Sequence, residues 1–528
     1  MKTYRLLLPS IIASLLLQAC AQTPVITTTV EVSPAVAIAE EPKAEPIPFK
    51  PETLYALLVA EFAGSRERYD IALGNYVQQA HKTRDPQIAA RATRIASFLN
   101  EHQTALESAL LWLELEPKNN EARLIAVTGL AQRDRLLEAF EQAIILDDSG
   151  SRSLYQTLAA RAAKSTDIQR ELLLDKFVAR LQTHPDNVSL LVGQGLLLQQ
   201  QRQIPEALEA AQAALKVDAE DIAAGILEAN LLGILKKPEQ ALEKLTNLLE
   251  RNPDNTRIRL QYARLLASQD LGKAHEQFRI LVKQSPRDPD LRFSLALVSN
   301  ERGSIEEAKE HFGVLLRMGQ RTSSAHYYLG RIAEQEQLVD AAQRHYMAVT
   351  PGPDFMSALL RSSDLFIGSG KISQANRRLN SIRSRYASQA EKLFLLESEL
   401  LIKHQYLDEA EAVLTQAIAE RPNSTTLLYS RAMLNERRNL LELSEMDLRS
   451  IIKYDPNNAT ALNALGYTLA DRTDRYQEAY ELINQALNIR PDDPAVIDSM
   501  GWVQYRLGIL DEALLRLRQA MKVFPDHE

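Results

Sequence analysis

Cys20 is the sole thiol in a chain of 528 residues. A lone cysteine closes no intramolecular disulfide and builds no thiolate zinc site. The nine histidines stand at positions 81, 102, 184, 275, 311, 326, 345, 404 and 527. None pairs at metal-ligand spacing, and no His-Glu-x-x-His occurs. The stretch IGSGKIS, Ile367 to Ser373, approaches a phosphate loop. It fails because Leu365 stands where the first glycine belongs and Ile372 where Ser or Thr belongs. Gly193 and Gly195 fall in a helical stretch with no strand before it, which removes a dinucleotide fingerprint. Carboxylates are many but spread along helix surfaces. The sequence therefore predicts no enzyme, no catalytic residue, no metal site and no cofactor. What chemistry remains belongs to the position of Cys20.

Two cations, Lys2 and Arg5, precede an apolar run from Leu6 to Leu17. That order is the n-region and h-region of a secretory signal. At about 12 residues the run is too short to cross a bilayer, which takes roughly 20. Leu17-Gln18-Ala19-Cys20 resembles the bacterial lipobox, in which the signal is cut before the cysteine and that residue is acylated. The resemblance implies a signal peptide over 1–19 and a lipidated, palmitate-bearing Cys20. Several acyl chains on one residue anchor stably where one would be marginal. Ala21, rather than Asp, implies the outer membrane, with the chain facing the periplasm. Residues 20–51 then form a tether. Six prolines, from Pro24 to Pro51, stop helices and leave too little to bury. Its reach is roughly 30 Å as a coil and up to about 90 Å if extended.

The elements that would position any site follow from composition and period. The chain is 45% hydrophobic but only 6% aromatic, so its apolar content is mostly the Ala and Leu that favour helices. Its formal charge is −8, with no cationic stripe for phosphates, which argues against a nucleic-acid partner. From residue 52 onward a small residue recurs at Ala72, Ala105, Ala139, Ala207, Ala241, Ala274, Ala308, Ala342, Ala375, Ala410, Ala479 and Ala513. If Leu173 and Ser444 fill the two gaps, every step is 33 to 35 residues. Twelve residues further on, prolines such as Pro185, Pro253, Pro422 and Pro491 end the second helix of each unit. Gly195, Gly330 and Gly501 lie twelve residues before the small residue, inside the first helix. Gly466 lies thirteen before, because DRTDRY carries an extra residue. Gly303, Gly370 and Gly508 fall in the turn between the two helices.

This pattern resembles the tetratricopeptide repeat (TPR). It implies an all-α TPR solenoid of about fourteen helix-turn-helix units, wound as a right-handed superhelix. TPGPD, Thr350 to Asp354, predicts a joint between an N-terminal arm, 52–349, and a C-terminal arm, 350–528. The resemblance also implies that the first helix of each unit lines a concave face. In the last three units those positions are Tyr429, Met433, Asn463, Tyr467, Asp498, Trp502 and Tyr505. Large, rigid aromatics there either anchor a partner or pack against the next helix pair. No polar capping helix follows Phe524 to Glu528, so a further segment or another chain is expected to cover that end. Trp112, seven residues after Ala105, is expected to be a packing residue.

The C-terminal units, most specifically 459–528, are similar to large outer-membrane TPR lipoproteins that serve as adaptors of periplasmic carboxy-terminal processing proteases. That resemblance implies a protein-binding adaptor. It would activate the serine protease and present substrates such as peptidoglycan hydrolases, thereby controlling cell-wall turnover. The alternative is a structural scaffold for envelope assembly, in pilus or secretin biogenesis or polysaccharide export.

Overall fold

The computed structural model describes residues 50–151 and 153–522. The signal peptide, Cys20, nearly all of the tether and the terminal Phe524 to Glu528 lie outside the described residues. Among the described residues there are 28 α-helices, two short 3-10 turns and no strands. They divide at Leu130/Ala131 into two compact units.

In the first unit, helix Pro51–Ser65 packs on Tyr69–Thr83, and Pro86–Phe98 on His102–Leu115. Alanines dominate the core, with Ala60, Ala89, Ala92 and Ala96 fully enclosed. Trp112 is buried among them. Its Nε1 donates to Glu116 at 2.8 Å, and the Arg94 guanidinium lies 5.3 Å from its ring centroid. The packing role expected for it is the one it has.

The second unit repeats one hairpin ten times from Val188 to Met521, beginning with Val188–Gln200 on Ile204–Val217 and ending with Pro494–Arg506 on Leu510–Met521. Each hairpin also packs on the next, so that no pair must bury its apolar face alone. In both units the predicted register holds. All fourteen recurring positions, Leu173 and Ser444 included, are buried on the second helix of their unit. The helix-A glycines explain the close approach. A Cβ on Gly330 would meet Tyr346 Cδ1 at 2.7 Å, and one on Gly501 would meet Leu517 Cγ at 2.8 Å.

Two local devices set the angles. The chain turns between paired helices through a residue of positive φ five positions before the small residue. Gly303, Gly370 and Gly508 hold that place in three units, but Glu67, Asn100, Asp134, Arg202, Lys236, Gln337, Gln405 and Asn439 hold it in eight others. The second device lies two residues after the proline. There Asn187, Asn255, Asp288, Ser424, Asn458 and Asp493 accept hydrogen bonds from the first free N–H groups of the next helix.

One unit departs from the pattern. Over 151–186 the first helix is only Tyr155–Arg161, followed by the 3-10 turn Ala162–Lys164. It packs chiefly against Val188–Gln200 of the next unit instead of forming a hairpin with Asp167–Thr183. Phe140, Tyr155 and Phe177 fill the space, with ring centroids 4.9 to 5.8 Å apart. The regular helix pair expected here is thus replaced by an aromatic wedge. At the predicted joint, Thr350 and Asp354 are bound back to the preceding repeat. Ser323 Oγ donates to Thr350 O at 3.1 Å, and Ser324 Oγ to Asp354 Oδ2 at 2.6 Å.

Candidate partner-binding groove

Three consecutive first helices, Thr425–Arg437, Ala459–Arg472 and Pro494–Arg506, carry the seven residues singled out in the sequence. Each helix is started by its cap, Ser424, Asn458 or Asp493, so their exposed faces are held in register. Five of the seven, Tyr429, Met433, Asn463, Tyr467 and Asp498, line one cavity of about 520 Å³. The end of the last helix, Ala520 and Met521, closes one side.

Trp502 and Tyr505 do not reach it. Their rings stack on one another at 5.6 Å, with Arg506 set 5.8 Å from the Trp502 ring. Trp502 is half-buried against the C-terminal core, whereas Tyr505 is 53% exposed. The structure therefore separates two groups that the sequence had put on one face.

Sequence reasoning missed Glu436 and Thr468, which also line the cavity. Glu436 lies one helical turn beyond Met433, so continuing the i, i+4, i+7 stripe from Tyr429 would have reached it. Burial pushes its carboxyl above the usual range; Arg472 opposes that rise and Asp471 adds to it. Burial also raises the Tyr429 hydroxyl, with Glu436 adding to it. Tyr467 rises for the same first reason, aided by Asp471, Asp498 and Glu436. Thr468 is 3% exposed, and its Oγ1 has no hydrogen-bond partner among the described residues. Asn463 Oδ1 is likewise unpaired. The one cation of the lining, Arg490, stands 3.6 Å from Asp493 and 3.4 Å from Thr460 Oγ1. The cavity therefore carries the carboxylates of Glu436, Asp493 and Asp498 against a single cation.

No group of three or more His, Cys, Asp or Glu side chains among the described residues could hold a metal ion. Among them, no helix is long and apolar enough to cross a membrane. The histidines that do meet are held in local contacts. His275 Nε2 is 2.9 Å from Glu307, and His326 Nδ1 lies 3.0 Å from His345 Nδ1.

Comparison with known proteins places these helices. A tetratricopeptide-repeat family matches residues 264–312 and 444–494. TPR repeat-containing protein PA4667 of Pseudomonas aeruginosa is 41% identical over 495 residues, spanning 93% of this chain and 84% of that protein. Bacteriophage adsorption protein A of Escherichia coli is 32% identical over 132 residues, 24% of this chain and 13% of that protein. Among solved structures, Naa15/Naa10 bound to HypK covers 90% of this chain and 76% of its own at 14% identity, with a TM-score of 0.35. MamA from Desulfovibrio magneticus covers 31% and 93% at 17% identity, with a TM-score of 0.28.

Proposed function

The chain belongs to the tetratricopeptide-repeat family that includes PA4667, and on that premise we propose that it is a lipid-anchored adaptor of the outer membrane. TPR repeats are protein-interaction scaffolds, typically without catalysis of their own. In this reading the partner is a periplasmic carboxy-terminal processing protease, which the chain binds and activates while presenting substrates such as peptidoglycan hydrolases. The observation that carries the reading is the open groove across the last three first helices, flanked by the half-exposed rings of Tyr429 and Tyr467. Rigid aromatics beside an open cavity are the usual anchors of protein recognition. The lipobox around Cys20 supports the location, since an anchored groove raises the local concentration of whatever it holds.

Reconstitution tests the proposal. The mature chain, mixed with the protease and a candidate hydrolase, should co-elute with the protease and accelerate hydrolase cleavage. Absence of both co-elution and acceleration would refute the adaptor role. Pull-down from detergent-solubilised envelope separates it from the scaffold alternative, by yielding a serine protease or instead a secretin or export channel.

A further inference from the structure

The groove's chemistry points to a particular kind of partner segment. Glu436 lines it half-buried, and no hydrogen bond or ion pair engages its carboxylate among the described residues. Two tyrosines share its surroundings, close enough for its charge to be felt at both hydroxyls. A half-buried carboxylate without a donor costs free energy, and a bound group that supplies the donor recovers it. Arg490 already faces Asp493, and Arg472 lies 3.0 Å from Asp471. Neither of these cations makes an ion pair with Glu436.

We propose that this groove takes an extended partner segment that sets a lysine or arginine side chain against the Glu436 carboxylate, between the rings of Tyr429 and Tyr467. Both sides of the pocket favour a cation: a carboxylate gives a charge-assisted hydrogen bond, and tyrosine rings attract a cation through their quadrupoles. An acidic segment would be repelled by Glu436 and Asp498 together. A purely apolar one would leave Glu436 desolvated and unpaired. The inference rests on the adaptor reading only in using the same groove, and the test keeps the two apart.

Selection of random displayed peptides on the full mature chain supplies the probe, and synthetic copies of the consensus are then titrated by fluorescence anisotropy. Lys or Arg is expected at one fixed position. Glu436→Gln should weaken the consensus peptide about tenfold, the effect of roughly one charge-assisted contact. Glu436→Lys should turn the selection toward Asp or Glu, a switch that mere structural support cannot produce. Circular dichroism of Glu436→Gln should show the wild-type fold. If no cation is enriched, or Glu436→Gln binds as tightly as wild type while Tyr467→Ala still weakens binding, the cation pocket is wrong and the groove stands. If no peptide is selected, or Tyr467→Ala also changes nothing, the groove reading falls with it.

Discussion

Residues 136–200 and 459–521 meet the same packing demand with opposite side chains. In the C-terminal stretch, helices approach closely because nothing projects between them. A Cβ on Gly466 would lie 2.5 Å from Ile483 Cγ1 and 2.9 Å from the Ala479 carbonyl. In the earlier stretch three rings pack between the helices. Leu173 takes the small-residue position, Phe140, Tyr155 and Phe177 pack tilted and edge-on, and a second glycine is needed. Gly193 clears Phe177, whose Cε1 would be 2.4 Å from an added Cβ, while Gly195 keeps its close approach to the Ala207 carbonyl, 3.2 Å from an added Cβ. Close approach fixes a hairpin. The wedge instead ties one short helix to the following unit, at the expense of its own hairpin.

The largest expected effect breaks the wedge. Phe177→Ala removes a fully buried ring whose neighbours are themselves large, and should cost about 3–5 kcal/mol. Because repeat proteins open locally, hydrogen exchange should show the loss concentrated over 140–200. Uniform destabilisation of the second unit would contradict a local wedge. Tyr155 adds a second signature, since burial raises its hydroxyl to about 12. Its ultraviolet ionisation should fall back toward the ordinary value of 10 in Phe177→Ala.

Gly466→Ala tests the other mode and should cost about 1–3 kcal/mol, as overpacking does. The close neighbour includes a backbone carbonyl, so trimming Ile483 to Val should restore only part of the loss. Full restoration would show that the side chain alone sets the approach.

The same contrast explains what the sequence disclosed. The register was legible because Ala479 and Ala513 stand where helices touch and large residues fit poorly, and such positions recur every 33 to 35 residues. Gly303, Gly370 and Gly508 were legible as turns for the same reason. Five others, Glu67, Arg202, Lys236, Gln337 and Gln405, adopt the left-handed conformation without any signal of composition, whereas Asn100, Asp134 and Asn439 are of the types that tolerate it. Residues 151–186 kept the spacing and so read as a normal unit. Only the coincidence of three rings in space revealed otherwise. In the groove, aromatics drew notice to Tyr429 and Tyr467, while Glu436 read as one more solvated carboxylate until its burial was seen.

Glu436 also makes the C-terminal region differ from the wedge in purpose, because its burial destabilises the free chain. Its folded-state carboxyl is raised above the ordinary 4.5. The folded state therefore holds that proton more tightly than the unfolded chain does. The associated stability is present below the ordinary carboxylate value and is lost as pH rises through the folded one. The charges facing it are Arg472 and Asp471, with the Tyr429 and Tyr467 hydroxyls neutral in this range. Glu436→Gln should thus melt higher than wild type at neutral pH, and the gain should vanish in acid below the ordinary value. A gain independent of pH would assign the effect to packing.

The smallest effect concerns the turns inside the hairpins of the second unit. Lys236 is exposed, with φ at 58°, in the place that Gly508 holds at 78°. A side chain there costs about 1 kcal/mol of left-handed strain, partly offset because glycine loses more entropy on folding. Lys236→Gly should therefore stabilise by about 0.5 kcal/mol, and Gly508→Ala should destabilise by about 1 kcal/mol. Thermal melts of the two variants read the sign directly. If Lys236→Gly lowers the melting temperature, the turn conformation is set by its own residue and not imposed by the helices it joins. The hairpins of the second unit would then be built from their turns outward instead of from their cores.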